Sequence, residues 1–388
     1  MEFAESEDIT ALRDTLRRFI AKECPPEAIA KWDRDDLIPR AMVEKLAELG
    51  ICGMCVPEEY GGLGRQVVGM VAVIEELSRC SVALSGIYAM CANYAGLNIS
   101  ESGTEEQKQR LLPGVLEGKV IFAYGLSEPD IGADLANVKT RAERHGDTVV
   151  VNGFKRWTSG ADIADYIYTL VRSGPQEAYR ENLSFVLIPT NARGVTVTRL
   201  AGMGARGSAL TDVALDNVEV PVENIIGGDA YWNKAWNLLA GPALEVEKLG
   251  PSAIALGIAE AALSEAWEYS QQRVQGGKHI CGHQAVRHVL SDCQTNLQAC
   301  RLMMNHAAWL VETKQSSAVA TSMAKLFVTE RAKEIVLNCQ QYVMGAYGYA
   351  HGFNMERYVR DVLAPVIYGG SSAVQRNNIA NLMKLPRN

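Results

Sequence analysis

The sequence predicts an α+β protein that is mostly helical, with a small antiparallel β domain between two helical regions. Up to about residue 118, and again from about residue 232, apolar residues recur at the three-to-four spacing of amphipathic helices. Between these regions, β-branched runs are bounded by Gly, Asn, Asp or Pro, as short strands are. Helices, then strands, then helices argue against alternating βαβ units and therefore against a Rossmann domain.

Each region has its own clearest segments. In the first region they are LRDTLRRFIAKE and MVEKLAELGI. Thr104, with Gln107 three residues later, predicts a capping box for a helix that ends near Gly118. The strands of the middle region are predicted in DTVVVNG, DYIYTLV, LSFVLI and VTVTRL. In the last region the long helices are predicted in LGIAEAALSEAWEYSQQR and SMAKLFVTERAKEIVLNCQQYV.

Composition argues against several classes of protein. The net charge of -7 provides no basic field for nucleic acid or an anionic membrane. No apolar stretch approaches the ~18 residues of a membrane span. The acidic start MEFAESEDIT lacks the features of a signal peptide, so we expect a cytoplasmic protein. The nine cysteines are scattered, which favours reduced, packing thiols over a disulfide framework.

The run YGLSEPDIGAD, from Tyr124 to Asp134, carries the most specific signal, and NGFKRWTSG follows it from Asn152 to Gly160. With the order of helices and strands, these motifs resemble acyl-CoA dehydrogenases over nearly the whole chain. The resemblance implies bound FAD. It also implies three domains: an N-terminal helical domain (1–119), a β-barrel-like middle domain (120–230) and a C-terminal four-helix bundle (231–388).

The resemblance assigns the first two motifs to the flavin. Flavin reduction builds negative charge near N1 and O2, so the ring needs hydrogen-bond donors there. In the second motif Trp157 would pack against the ring and Ser159 would hydrogen-bond near N5, although this segment alone is equally typical of an exposed hairpin with a packing Trp. Ala133 stands where the family has Ser, which removes one hydrogen bond to the diphosphate. The cofactor residues implied in the first motif are Tyr124, Leu126, Ser127, Gly132 and Ala133.

Three later stretches resemble further cofactor contacts of the family. In RVQGGK, Arg273 would reach the FAD diphosphate of a neighbouring subunit, a task that suits its planar charged fork, and Gly276 replaces the family's Phe. In VMGAYGY, Gly345 belongs to a turn that closes on the partner's FAD, and Tyr342 replaces a Gln. The third stretch is YGGSSAVQR, from Tyr368 to Arg376. The other cofactor residues implied are Gln284, Gln341, Ser371, Ser372 and Gln375.

Oxidation of an acyl thioester needs a carboxylate that takes the α proton. In much of the family this Glu directly follows the Tyr of the last motif, where this chain has Gly369 after Tyr368. Isovaleryl- and long-chain-type members place the base on the first helix of the C-terminal domain. The corresponding residue of this chain is Glu247. The alternative is a solvated Glu at a helix start. Because Pro251 would free the carbonyl of Glu247, it predicts a kink or a helix start.

The substrate contacts are also implied by the resemblance. The backbone N–H of Gly369, together with a ribityl hydroxyl of FAD, would polarise the thioester carbonyl. Tyrosines in the segment GIYAMCANYAG would suit a short, branched or ring-bearing acyl group, or they face the core instead. The CxxC at Cys52 and Cys55 has no second ligand pair, so no metal is expected. The candidate substrate residues are Tyr88, Cys91, Tyr94, Tyr368 and Gly370.

The leading hypothesis is dehydrogenation of an acyl-CoA to the trans-2-enoyl-CoA, with electrons passed to an electron-transfer flavoprotein. An acyl-CoA oxidase that uses O2 would keep the same fold. A non-catalytic or partner-dependent subunit is the alternative from another class, motivated by the altered cofactor positions. The resemblance implies a homotetramer, a dimer of dimers, with a heterotetramer containing a related chain as the alternative.

Overall fold

A computed structural model describes residues 5–239 and 241–386. The chain runs through a helical domain, one sheet and a set of long helices, so the predicted fold class is confirmed. None of the described helices combines the length and the apolar character that a membrane crossing requires. All nine cysteines are free and eight of them are buried, which confirms their prediction as packing thiols.

The N-terminal helices form around the predicted periodic segments. A π-helical segment, Met90–Leu97, joins two of them. The Thr104 hydroxyl accepts from the Gln107 amide (3.3 Å) and the Gln107 side chain accepts from the Thr104 amide (3.0 Å), which confirms the capping box. The helices are α1 (Glu7–Glu23), α2 (Pro26–Asp35), α3 (Ala41–Ala47), α4 (Val67–Cys80), α5 (Val82–Ala89), α6 (Asn98–Ser102) and α7 (Glu105–Leu116).

One seven-stranded sheet forms the middle of the chain, and it contains all four predicted strands. Most pairs are antiparallel, as expected, but β2 meets β4 in parallel at one residue pair, and β1 runs parallel to β4 and places Tyr124 opposite Tyr168. Parallel pairing needs a long crossover, which residues 126–165 provide. The spatial order is β1-β4-β2-β3-β7-β6, with β5 also paired to β4. The strands are β1 (Phe122–Gly125), β2 (Arg141–His145), β3 (Thr148–Lys155), β4 (Tyr166–Arg172), β5 (Leu183–Pro189), β6 (Val195–Leu200) and β7 (Leu210–Pro221).

Long helices dominate the C-terminal region. Pro251 lies inside the first long helix, which begins at Pro242, so the alternative that a helix starts at Pro251 is wrong. A π-helical segment, Cys339–Met344, follows α11. The elements are α8 (Ala235–Leu239), α9 (Pro242–Gln272), β8 (Val274–Gln275), β9 (Lys278–His279), α10 (Gln284–Glu312), α11 (Ala318–Asn338), α12 (Met355–Val362) and α13 (Ser372–Leu382).

Buried charges join the two helical regions. Glu75 of α4 accepts hydrogen bonds from Arg13 of α1 (2.6 Å) and Arg301 of α10 (2.7 Å), and the Glu75 side chain is 1% exposed. A carboxylate this buried is stable only when it is paired. The network therefore ties the N-terminal helices to the bundle, and α4 packs along α9 beside it.

Candidate active site

Glu247 lies in the second turn of α9, at the junction of the two helical regions and the sheet. The Tyr124 hydroxyl of β1 donates a hydrogen bond to Glu247 Oε1, and the Asn98 amide donates one to the Tyr124 oxygen. The ring centroid of Tyr94 is 4.1 Å from that of Tyr124, and the Tyr168 centroid is 5.4 Å from it. Glu247 is half-buried in this polar and aromatic group, so it is not the solvated surface residue of the alternative interpretation.

Burial changes the acidity of this carboxyl. It raises the pKa of Glu247 to about 7, although the hydrogen bond from Tyr124 acts in the opposite direction. Such a carboxylate is a stronger base than an ordinary Glu, and about half of it is ionised at neutral pH. Glu247 therefore has the proton affinity that a general base needs.

The loop that carries Gly369 packs against α9 one turn beyond Glu247. Gly369 has a φ of +62°, in the left-handed region that favours glycine. A Cβ atom added there would lie 2.7 Å from Cγ of Pro251. Both positions at which the family places its base therefore adjoin the same stretch of α9. Glu247 supplies a carboxylate there, while Pro251 fills the space that a side chain at position 369 would need.

Gln375 holds the backbone of this loop. Its Nε2 donates to the carbonyl oxygens of Gly369 (3.3 Å) and Gly370 (3.1 Å), while its Oε1 is buried without a hydrogen-bond partner. Ser371 caps α13, because its hydroxyl accepts from the backbone N–H three residues later (3.4 Å). Ser372, in the first turn of α13, is buried. Gln375 thus holds the two predicted glycines at the start of α13, which packs on α11, and Gly369 approaches Pro251 of α9.

The loop after β1 is fixed by a buried ion pair. Glu128 accepts from Lys155 Nζ (2.9 Å) and from two backbone amides of the chain that follows the loop (2.7 and 2.9 Å). The Ser127 carbonyl accepts from the Arg156 amide (2.9 Å), which ties the loop to the end of β3. Burial lowers the pKa of Lys155 to about 8, although the Glu128 charge opposes this shift. The two sequence motifs are therefore brought together.

The end of β3 presents a flat aromatic surface. Trp157 is 56% exposed and has a φ of +62°, a strained conformation for a bulky residue. Arg156 lies 5.6 Å from the Trp157 ring centroid and is held by Asp212 (2.6 Å). Thr158 Oγ1 is buried without a hydrogen-bond partner, and Ser159 is half-buried.

These features fit a flavin. Leu126 is half-buried, whereas Gly132 and Ala133 are exposed, and no atom lies within 4 Å of a Cβ placed at Gly132. An exposed indole face, a polar atom that lacks a partner and an open small-residue loop, all in the segments that follow β1 and β3, are what a planar, polar-edged ring system needs. In the part of the chain that the structure describes, these residues fit the group that the resemblance implies.

The residues predicted to contact a neighbouring subunit's cofactor lie apart, on the bundle surface. The Arg273 guanidinium is 5.3 Å from the ring centroid of Tyr347, which joins the α9 end to the turn after α11. Gly276 has a φ of +61° in the tight turn between β8 and β9, and this geometry accounts for a glycine there. The remaining residues of this group are exposed or half-exposed: Gln284, Gln341, Tyr342 and Gly345.

The predicted substrate residues separate into two sets. Tyr88 and Cys91 are fully buried and contact backbone carbonyls of the N-terminal domain, Ile51 at 3.1 Å and Val115 at 3.1 Å. These two side chains therefore face the core, which was the alternative to lining an acyl cavity. Tyr94 instead lies beside Tyr124, and the nearby Tyr368 is 39% exposed.

Three residues of this site were not predicted in their observed roles. Asn98 holds the Tyr124 hydroxyl, Tyr168 flanks it and Pro251 fills the space beside Gly369. The parallel register of β1 and β4 explains the place of Tyr168, and a short strand carries no sequence signal for that register.

Comparison with known proteins agrees with this architecture. Three acyl-CoA dehydrogenase family models match the chain: the N-terminal domain over residues 6–119, the middle domain over 123–218 and the C-terminal domain over 236–384. The chain is 33% identical to an acyl-CoA dehydrogenase of Bacillus subtilis (strain 168), an alignment that covers 94% of this chain and 95% of the relative.

A second relative is the 3-(aryl)acrylate reductase of Clostridium sporogenes, which is 34% identical with coverage of 99% of this chain and 100% of the relative. The solved structure of butyryl-CoA dehydrogenase from Megasphaera elsdenii has a TM-score of 0.92 at 26% identity, and the match covers 99% of this chain and 100% of that chain. The chain therefore belongs to the acyl-CoA dehydrogenase family of FAD-dependent oxidoreductases.

Proposed function

We propose that this enzyme dehydrogenates an acyl-CoA thioester between its α and β carbons, giving the trans-2-enoyl-CoA, with Glu247 as the base. The observation that carries the proposal is the position of Glu247, a half-buried carboxylate one turn of α9 before the Pro251 ring that Gly369 approaches, with a pKa raised by burial to about 7. Gly369 has no side chain that can act as a base, so the reaction depends on Glu247.

The chemistry follows from the residues of the site. The ionised Glu247 takes the α proton, and the backbone N–H of Gly369 donates a hydrogen bond to the thioester oxygen, which makes that proton more acidic. Bound FAD supplies the acceptor for the hydride that leaves the β carbon. Gln375 holds the Gly369 backbone through its carbonyl, so that the donor keeps its position.

The cofactor contacts in the proposal follow the two separate groups of residues. Trp157, Ser159 and the loop from Tyr124 to Ala133 hold the ring in the same subunit. Arg273, Gln284, Gln341, Tyr342 and Gly345 serve the cofactor of a neighbouring copy, which requires an oligomer, and we propose a homotetramer. Ser371, Ser372 and Gln375 complete the site from the C-terminal loop.

We propose a short, branched or ring-bearing acyl group as the substrate. Tyr94 and Tyr124 are bulky side chains beside the base, and Tyr368 lies near Tyr94; aromatic side chains of this size favour a compact acyl group over a long straight one. Tyr88 and Cys91 pack in the core and do not contribute to this preference. We further propose an electron-transfer flavoprotein as the acceptor and, from the free cysteines, a cytoplasmic location.

The experiment is anaerobic mixing of the FAD-loaded enzyme with acyl-CoA thioesters that differ in length, branching and ring content. Bleaching of the flavin absorbance, with formation of the enoyl-CoA, is the expected result, and it should be fastest for a short, branched or cyclic acyl group. Failure of every thioester to bleach a fully loaded homomer would contradict the proposal and favour a non-catalytic subunit. Rapid peroxide release in air would replace the electron-transfer flavoprotein with O2 as the acceptor.

A further inference from the structure

A directed chain of hydrogen bonds leads to the Glu247 carboxylate. The Asn98 amide donates to the Tyr124 oxygen, and the Tyr124 hydroxyl donates to Glu247 Oε1. The Asn98 amide also lies 3.1 Å from the carbonyl oxygen of Tyr94, which holds it in place. Because a tyrosine hydroxyl has one proton and its oxygen already accepts from Asn98, that proton is available to Glu247.

Tyr124 remains a donor throughout the working pH range. Burial raises the pKa of its hydroxyl, and the negative charge of Glu247 raises it further, so Tyr124 stays protonated while Glu247 titrates. A hydrogen bond to the ionised form of a carboxyl favours that form.

We propose that Tyr124, held by Asn98, is a positioning residue that orients the Glu247 carboxylate and favours its ionised, base-competent form. This role is additional to the backbone contact with the flavin expected at Tyr124, and its catalytic meaning rests on the proposed function of Glu247 as the base.

The surroundings of Glu247 single out this hydroxyl. Tyrosines lie near Glu247 on three elements: Tyr94 on the π-helical segment, Tyr124 on β1 and Tyr168 on β4. Burial raises the pKa of all three hydroxyls, and the Glu247 charge raises each of them further. On α9 itself, the neighbouring cation Lys248 is paired with Glu245 at 2.8 Å. Within residues 5–239 and 241–386, the side chain that donates a hydrogen bond to the Glu247 carboxylate is Tyr124.

The matched variants are Tyr124→Phe and Tyr94→Phe. Each removes one hydroxyl from a ring next to Glu247, and only the first removes a hydrogen bond to the carboxylate. Both leave the aromatic packing in place, so both proteins are expected to fold. The observable is the titration of Glu247 in the FAD-loaded enzyme, read by infrared absorption of the protonated carboxyl. For the wild type and for each variant, the spectrum of the same protein with Glu247→Gln added is subtracted. The difference assigns the carboxyl band to Glu247.

In Tyr124→Phe the midpoint of the Glu247 titration is expected to move about 1–2 pH units higher, because the ionised carboxylate loses one hydrogen bond. In Tyr94→Phe it is expected to stay at the wild-type value. Asn98→Leu, which leaves the Tyr124 proton undirected, is expected to move it in the same direction by less. An unchanged midpoint in Tyr124→Phe would overturn the proposal, and so would equal shifts in the two tyrosine variants. An unchanged midpoint in Asn98→Leu would remove Asn98 from it.

This titration needs no substrate, so its failure is distinct from failure of the proposed function. If Glu247 titrates as expected but its replacement leaves flavin bleaching intact, the base assignment fails and the Tyr124 effect stands. If bleaching depends on Glu247 but Tyr124→Phe leaves the midpoint unchanged, the base assignment stands and the positioning role fails.

Discussion

Replacing Gly369 by alanine is expected to destabilise the C-terminal bundle through a contact with Pro251. A non-glycine residue in the left-handed region costs about 1–2 kcal/mol. The new Cβ would lie 2.7 Å from Pro251 Cγ, well inside the separation of about 3.5 Å at which carbon atoms make favourable contact. Overpacking of this kind costs about 1–3 kcal/mol. The sum is about 2–5 kcal/mol, which lowers the thermal midpoint of a domain this size by about 4–20 °C.

A double-mutant cycle with Pro251→Ala separates the two terms. Alanine at position 251 has no Cγ for the new Cβ to clash with. In that background Gly369→Ala should cost only the backbone strain of about 1–2 kcal/mol. Thermal midpoints are measured at one protein concentration with saturating FAD, because ligand binding shifts them. Gly250→Ala on the same helix is the matched control, since its new Cβ would meet only Asn93 Nδ2 at 3.8 Å. An equal cost of Gly369→Ala in both backgrounds would refute the steric argument.

Two further predictions concern the base proposed at Glu247 and the loop that follows β1. Only ionised Glu247 accepts a proton, so the rate of flavin reduction should rise with pH through about 7. Measured by stopped-flow mixing, the rate should be about one tenth of its plateau at pH 6 and about nine tenths at pH 8. A rate that does not depend on pH over this range would contradict the prediction. Lys155→Met leaves Glu128 buried without its cation, so it should lower the free energy of unfolding by about 3 kcal/mol and reduce the FAD content of the purified protein. Lys139→Met removes an exposed ion pair with Asp130 and should change both quantities little. Equal effects of the two lysine substitutions would count against the role of the buried pair.

Much of the architecture could be predicted from local sequence. The β-branched runs became β3, β4, β5 and β6 because their pattern and bounding residues agree with the sheet. The capping box at Thr104 formed because both of its hydrogen bonds are local. Contacts between segments distant in sequence could not be predicted from local sequence. The parallel pairing of β1 with β4 depends on a crossover of forty residues, and this pairing places Tyr124 beside Tyr168.

The orientation of the Tyr88 segment was also undetermined by its sequence. GIYAMCANYAG is apolar on nearly every face, and the structure buries most of it, so its periodicity does not distinguish a cavity wall from the core. Pro251 shows the limit of a local rule. Proline disfavours a helix interior, yet α9 continues through it and its ring packs beside Gly369.

The rate of flavin reduction in Glu247→Gln tests the central claim most directly. With the fastest acyl-CoA at saturation, under anaerobic conditions, the rate should fall by about 10²–10⁴-fold, the typical contribution of a general base. FAD content should not change. Glu268→Gln, an exposed glutamate on the same helix, should keep the wild-type rate. A Glu247→Gln enzyme that reduces its flavin within a few-fold of the wild-type rate would contradict the assignment of Glu247 as the base.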